Sequence, residues 1–589
     1  MNCKVSKLLP LLLTLTFYLC FGELMAQSLM NDTQKRVTAI ANQYEQDFFT
    51  YNPELALFWG KKDIALDRFN DHSYAAIKEW QKKEEGFLSS LNTIDRKELE
   101  NTPQYITYRL LKDTLESNKQ ARVCEENLWN VNPTFKGWLS LTTKVAEKQP
   151  VGTPEYRKLA LKRWSTFAKV VEEEITNLKQ GLSQGYSAPK PAVERVLKQI
   201  HLLIEIPIEQ SPFFEFAARD NDPDFKLEVT KLIRNQINPA LTHYADYLEQ
   251  EYLSRARSSI GVSSLPNGAA CYQAKIHQET TLNNSPQEIY EYGLAHMNKL
   301  KEEVAAIGQQ EFGIEEMPAV FHEAMTRSEY LFKSEEDILN YNLNAYAKAQ
   351  AKISTWFAVL PKAEGVIKPY PEYRAKTGAS GEYSPLSEDG TQPGIFYINT
   401  YQPTTKSRID HEATLFHELL PGHHLQIALS SENQSQHSLD KYLWNAGFGE
   451  GWALYTERLA DEMGLYMDSI SRLGMLANES LRTARLVVDP GIHVMNWTRE
   501  QAITYMKQHT ALSDVIIEGE VDRYIMQPGQ ATSYMLGKQQ IELLRAQAES
   551  GLKEHFDIRA FHDQVLKNGA VSLPLLRELV LQWLEQKKN

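Results

Sequence analysis

The chain has 589 residues, ample for a large core and for more than one domain. Its formal net charge of −13 is offset by no basic block, which argues against nucleic acid or an anionic membrane as electrostatic partners and leaves peptides or small molecules. Four cysteines, two of them inside the first 20 residues, exclude a disulfide scaffold and a cysteine-built metal site.

At the start, Lys4 and Lys7 precede a largely apolar run over residues 8–22 that ends near Leu24-Met25-Ala26. This is the pattern of a secretory signal peptide cut after Ala26. The run is short for a membrane span and no second one follows, so no stable membrane insertion is expected after cleavage. Export to the periplasm or beyond the cell is expected. Tyr18-Leu19 ahead of Cys20 lacks the small residue that lipid attachment usually needs. In an oxidising compartment Cys124 and Cys271 can bond or remain separate buried thiols, and the sequence leaves both open.

After Ser73, the residues Ile77, Trp80, Phe87 and Leu91 recur at helical spacing, and residues 153–182 read as one long charged amphipathic helix. Ser285-Pro286-Gln287-Glu288 is a capping box with proline at the first helical position, followed by Ile289, Tyr292, His296, Leu300, Val304 and Ile307 on one face. Turn-rich segments occupy residues 258–267 and 361–393. The best strand candidate, Gly394-Ile395-Phe396-Tyr397-Ile398-Asn399-Thr400, follows at once, and as an edge strand it would pair with an extended peptide. Thr498-Arg499-Glu500-Gln501 repeats the capping box near the C-terminus. These features predict a mainly α protein with a leader over 1–26, a helical N-terminal region over 27–270 and a C-terminal region over 271–589 that carries the chemistry.

That chemistry centres on His417-Glu418-Leu419-Leu420-Pro421-Gly422-His423-His424-Leu425-Gln426 and on Gly449-Glu450-Gly451-Trp452-Ala453-Leu454-Tyr455. Zinc catalysis needs about three protein ligands, an open position for water and a base. Two histidines four apart on a helix face the same way, but position 421 is proline where the second would fall. At about 100° per residue, His424 lies nearly in line with His417. Proline disrupts the turn, however, and a kink or bulge at Pro421-Gly422 could carry His423 round instead. Either histidine fits at this level, with its neighbour left to hydrogen-bond behind the site or meet substrate. Glu450 sits between two glycines, whereas Glu457, two turns on, reads as a surface partner for a cation.

In order along the chain, these motifs resemble the bacterial predicted metallopeptidases known as domain of unknown function 885. The likeness includes Asp389-Gly390, Pro393-Gly394, the two motifs above, Arg482, Arg485-Leu486-Val487-Val488-Asp489, Gly491-Ile492-His493, Glu520-Val521-Asp522-Arg523-Tyr524, Pro528-Gly529-Gln530-Ala531 and Tyr534. That family in turn is similar to helical gluzincin-like peptidases of the thermostable carboxypeptidase and oligopeptidase type. The resemblance implies a helical zinc-peptidase-like fold with a deep cleft and a small β-sheet beside the active site. It also implies Zn²⁺, or another divalent metal, on His417, His423 and Glu450, with Glu418 as general base. A two-residue insertion before His423 departs from those peptidases and keeps His424 as the alternative ligand.

His493, Tyr534, Arg523 and Tyr524 lie on segments that the related peptidases use to stabilise the oxyanion, His493 and Tyr534 foremost. Arg482, Arg485 or Arg523 would grip a terminal carboxylate, and Tyr397 and Asn399 on the strand would align the substrate backbone. The expectation is an exported zinc-dependent peptidase acting on short peptides, with cleavage from the carboxyl end as one mode. Two other readings stand beside it: a metal-dependent amide or ester hydrolase for a small metabolite or cell-wall fragment, and a peptide-binding protein without catalysis.

Overall fold

The computed structural model describes residues 30–61, 64–371, 375–376, 380–387 and 392–588. The leader and Asp389-Gly390 lie outside the described residues. Capping chemistry sets many of the helix starts. Helix α1 (Asp32–Tyr51) opens on Asn31, which forms a reciprocal box with Gln34, and α2 (Tyr74–Asn92) opens on Ser73, whose hydroxyl accepts from the Ala76 N–H. Helix α3 (Pro103–Ala121) starts with proline in its first turn.

The long helix expected over residues 153–182 is two helices, α4 (Pro154–Trp164) and α5 (Phe167–Ser183). At the break, the Ser165 and Thr166 hydroxyls donate to the carbonyls of Lys162 and Arg163, which competes with helix continuation. Arg163 is fully buried and reaches the carbonyls of Ala65 and Arg68, so the turn is also held from outside.

Helix α6 (Gly268–Thr280) spans the boundary read near residue 270, and α7 (Pro286–Phe312) begins with the full Ser285–Glu288 box. One core draws Tyr44 and Leu111 from the first helices together with Trp452, Leu486 and Leu536 from the C-terminal half. A second core, around Trp164, Phe167, Phe213, Phe216 and Tyr244, lies wholly within residues 69–252. A disulfide between Cys124 and Cys271, 147 residues apart, fastens the turn after α3 to α6. Among the described residues no helix is long and apolar enough to cross a membrane.

Among the described residues three strands form a sheet: β1 (Gly365–Pro369), β2 (Gly381–Ser384) and β3 (Gly394–Ile398). Their order is β1-β3-β2, with β1 parallel and β2 antiparallel to β3. The strand expected at an edge is therefore central, with hydrogen-bonding groups engaged on both sides, and it has no free edge for a peptide. Its alternation puts Phe396 and Ile398 in the core and Tyr397 on the opposite face.

Beyond the sheet come α8 (His411–Glu418), α9 (His423–Glu432), α10 (Ala446–Glu462) and α11 (Ser469–His493). They are followed by α12 (Arg499–His509), which starts with the Thr498–Gln501 box, then α13 (Asp514–Met526) and α14 (Ser533–Leu552). Helix α10 packs along α14, α8 against α10 and α11, and α7 along α11. The fold is mainly helical with one small sheet.

Candidate metal centre

Helix α8 stops at Glu418 and a new helix starts at His423, because Pro421 has no N–H to continue the ladder. The Leu420-Pro421 peptide is cis. At position 422 any side chain would collide, since a Cβ there would sit 1.9 Å from the His417 carbonyl oxygen. Glycine is required by this close approach. The Trp452 indole N–H on α10 holds the turn from the other side by donating to the Pro421 carbonyl at 3.1 Å. A break, rather than a bulge within one helix, therefore brings His423 to His417. Their rings stand at 87° with centroids 4.9 Å apart.

Glu450, on the second turn of α10, meets both imidazoles. Its Oε2 lies 3.7 Å from His417 Nε2 and 3.5 Å from His423 Nε2, and one donor atom from each residue falls within 4.8 Å of the others. A tetrahedral zinc with ligand distances of ~2.1 Å separates its donors by roughly 3.4 Å. The two nitrogen–oxygen separations fit that spacing, and the donor set of two imidazoles and one carboxylate suits zinc.

The other face of His417 is held as such a site requires. Its Nδ1–H donates to Glu457 Oε1 at 2.8 Å, which leaves Nε2 as the ring atom that faces Glu450 and would meet a metal on losing its proton. Glu457 is 1% exposed, so it is not the surface residue that the sequence suggested. Its signal was present all the same: seven residues separate it from Glu450, two turns on the same helical face. Burial opposes charge on His417, but the nearby Glu450 and Glu457 carboxylates outweigh it and lift the imidazole to about 9. Burial likewise opposes charge on Glu450, yet His417 and His423 hold its carboxyl well below the ordinary range.

His424 is excluded as the alternative ligand in this conformation, because both its nitrogens are engaged. Its Nδ1 accepts from the Tyr383 hydroxyl at 2.9 Å and its Nε2–H donates to the Ala363 carbonyl at 3.1 Å. It ties the segment before β1 and strand β2 to the centre. Glu418 differs from every other acid of the cluster, since its carboxylate makes no hydrogen bond or ion pair with a described residue. Burial raises its proton affinity, the His417 and His423 imidazoles oppose this, and Glu450 reinforces it.

Tyr534, on α14, shares this electrostatic neighbourhood. Burial first, and then the Glu450 carboxylate, push its phenol up, so it stays protonated and able to donate. Its hydroxyl has no partner among the described residues. Arg482 and Arg485 lie over its ring at 5.8 and 4.7 Å. The arginines differ in availability. Arg485 is buried and committed to Glu520 at 2.8 Å and to the Tyr524 hydroxyl at 3.0 Å. Arg523 faces the same Glu520 at 3.4 Å. Arg482 has no carboxylate partner among the described residues, bonds only to the Asn478 carbonyl of its own helix, and leaves a buried Nε unpaired.

Three expected substrate contacts are instead internal struts. His493 is fully buried with Nδ1 accepting from the Val262 N–H and Nε2–H donating to the Tyr524 carbonyl, and burial drives its pKa down to about 3. It is a neutral packing residue with no proton to offer an oxyanion. Tyr524 is 1% exposed, with its hydroxyl spent on Glu520 and Arg485. Asn399 is buried, its amide donating to the Ala375 carbonyl and its oxygen accepting from the Tyr401 N–H. Tyr397 lies on the outward face of β3, stacked on Tyr370.

A family model described as "Bacterial protein of unknown function (DUF885)" matches residues 53–580. A solved structure from Colwellia psychrerythraea, described as a "putative lipoprotein", is 25% identical, with a TM-score of 0.86 over 95% of this chain and 100% of its own. A second, from Shewanella oneidensis and described as a "putative lipoprotein of unknown function", is 17% identical, with a TM-score of 0.76 over 92% and 99% of the two chains. The second likeness is one of fold alone. No curated protein matches the chain.

Proposed function

The chain belongs to this family of bacterial proteins of unknown function, and from that premise we propose that it is an exported zinc-dependent peptidase acting on short peptides. One observation carries the reading. His417, His423 and Glu450 bring three donors within 4.8 Å of one another, with both nitrogen–oxygen separations close to those on zinc, and Glu418, next to His417 in the chain, makes no hydrogen bond or ion pair with a described residue. Zinc bound there would lower the pKa of water to about 7 and polarise the scissile carbonyl.

The protein side chains then divide the remaining work. Glu418 takes a proton from the attacking water and returns it to the leaving amine nitrogen, a role suited to a partly buried acid with raised proton affinity. The Tyr534 hydroxyl donates to the oxygen on which negative charge develops, and a donor of this kind contributes ~3 to 4 kcal/mol. Glu457 fixes the tautomer and orientation of His417. Arg482, without a carboxylate partner among the described residues, would receive a substrate carboxylate, which favours cleavage near the carboxyl end. Export rests on the leader pattern of residues 1–26, and the description of both similar structures as lipoproteins supports an envelope or secreted location.

The test is a mixed peptide library offered to the purified protein, with and without chelator, alongside Glu418→Gln and elemental analysis. The expected result is chelator-sensitive cleavage, with Glu418→Gln retaining metal while turnover falls ~10²- to 10⁴-fold. Unchanged turnover in Glu418→Gln would refute the base assignment. Metal with cleavage only of other amides or esters would favour the small-molecule hydrolase, and peptide binding without turnover the inactive binder.

A further inference from the structure

Trp444 stands 43% exposed beside the metal centre, whereas Trp452 on the neighbouring helix is fully buried. An isolated exposed tryptophan needs no explanation, but the placement of this one is determined by the helix start. Asn445 caps α10, its side chain accepting from the Phe448 N–H at 2.9 Å, so Trp444 is the residue just before the cap. A hydrophobic residue there ordinarily packs on a hydrophobic side chain at the fourth helical position. Here that position is Gly449, and the indole fills the space its side chain would take. A Cβ at 449 would lie 2.0 Å from Cζ2 and 2.3 Å from Cη2 of Trp444.

The consequence is a ring laid on the helix backbone one residue before Glu450, with its centroid 6.2 Å from the His423 imidazole at 50°. One side is pinned against glycine and the indole is still 43% exposed. It is a rigid apolar surface next to two of the three donor residues. We propose that Trp444 forms the subsite for a large apolar side chain of the substrate, aromatic above all, on a residue flanking the cleaved bond. The proposal rests on the peptidase reading. Aromatic side chains pair with an indole face in offset or edge-on geometry, and burial of both apolar surfaces favours them over alanine. A cationic side chain is disfavoured, because Arg482, Arg485 and Arg523 gather around Tyr534 near the same centre; Arg485 and Arg523 share Glu520, and Arg482 has no carboxylate partner among the described residues.

The experiment scans a single phenylalanine through an alanine pentapeptide and measures kcat/KM with zinc-loaded wild type, Trp444→Ala and Trp444→Phe. In the wild type one position should prefer phenylalanine over alanine by about tenfold or more. Trp444→Ala should bring that ratio to about one, and Trp444→Phe should restore most of it. A ratio is insensitive to a general loss of active protein, so its persistence in Trp444→Ala overturns the proposal. Calorimetric binding of the same peptides to zinc-loaded Glu418→Gln separates the two levels. A Trp444-dependent gain for phenylalanine without wild-type cleavage would end the peptidase reading but keep the subsite. Cleavage with no Trp444-dependent ratio would end the subsite and keep the peptidase, and neither effect would end both.

Discussion

Replacing Glu457 with glutamine isolates the charge behind the candidate metal centre. The amide keeps an acceptor for the His417 Nδ1–H, so the 2.8 Å hydrogen bond and the ring orientation persist while the negative charge is lost. A hydrogen bond to a charged group contributes about 1.5–3 kcal/mol and a neutral one about 1. The difference, about 0.5–2 kcal/mol, is roughly a two- to thirtyfold loss of zinc affinity, overlapping the ~10- to 100-fold range for such supporting groups. Metal-free stability should fall as well. The buried Glu457 carboxylate pairs there with the imidazolium that the raised proton affinity of His417 retains at neutral pH. The assay is competition for zinc against a chromogenic chelator, paired with thermal melts of the metal-free protein. Wild-type zinc affinity in Glu457→Gln would refute the assignment, and unchanged metal-free stability would refute the ion pair with His417.

Gly422→Ala should cost about 1–3 kcal/mol in metal-free stability and weaken zinc binding, because the added carbon falls 1.9 Å from the His417 carbonyl and 2.4 Å from that of Phe416. Melting and metal titration check both, and unchanged values would show that the turn relaxes freely. Acid lability should depend on His562, whose Nδ1–H donates to the Trp356 carbonyl and whose Nε2 accepts from the Tyr455 hydroxyl. Burial pushes its pKa from 6.5 down to about 3, so the unfolded chain binds the extra proton first. Stability is therefore fully present above pH 6.5 and is lost as pH falls towards 3, on the order of 2 kcal/mol by pH 5. Urea denaturation of metal-free protein at pH 7.5 and 5 should show a shallower pH dependence in His562→Gln, and equal slopes would exclude the effect.

The helix starts at Ser73, Ser285 and Thr498, the strand from Gly394 and the helical character of the chain were legible in the sequence, because a cap or an alternation is set by residues a few positions apart. So was the cluster of candidate residues, since His417, Glu418, His423, His424 and Glu450 are chemically conspicuous against an apolar background, and three of them, His417, His423 and Glu450, do come together. What the helix wheel could not decide was how Pro421 acts. It ends α8 and lets α9 restart, turning His423 toward Glu450 while Tyr383 and the Ala363 carbonyl take up His424.

The same limit hid the burial of Glu457, the backbone engagement of His493 and the pairing that occupies Arg485 but leaves Arg482 without a carboxylate among the described residues. It also left the bond between Cys124 and Cys271 open and hid the central position of β3. Each depends on which side chain from a distant segment arrives opposite. Local sequence determined the parts and their secondary structure, whereas tertiary packing decided which polar atoms were consumed and which remained available for chemistry.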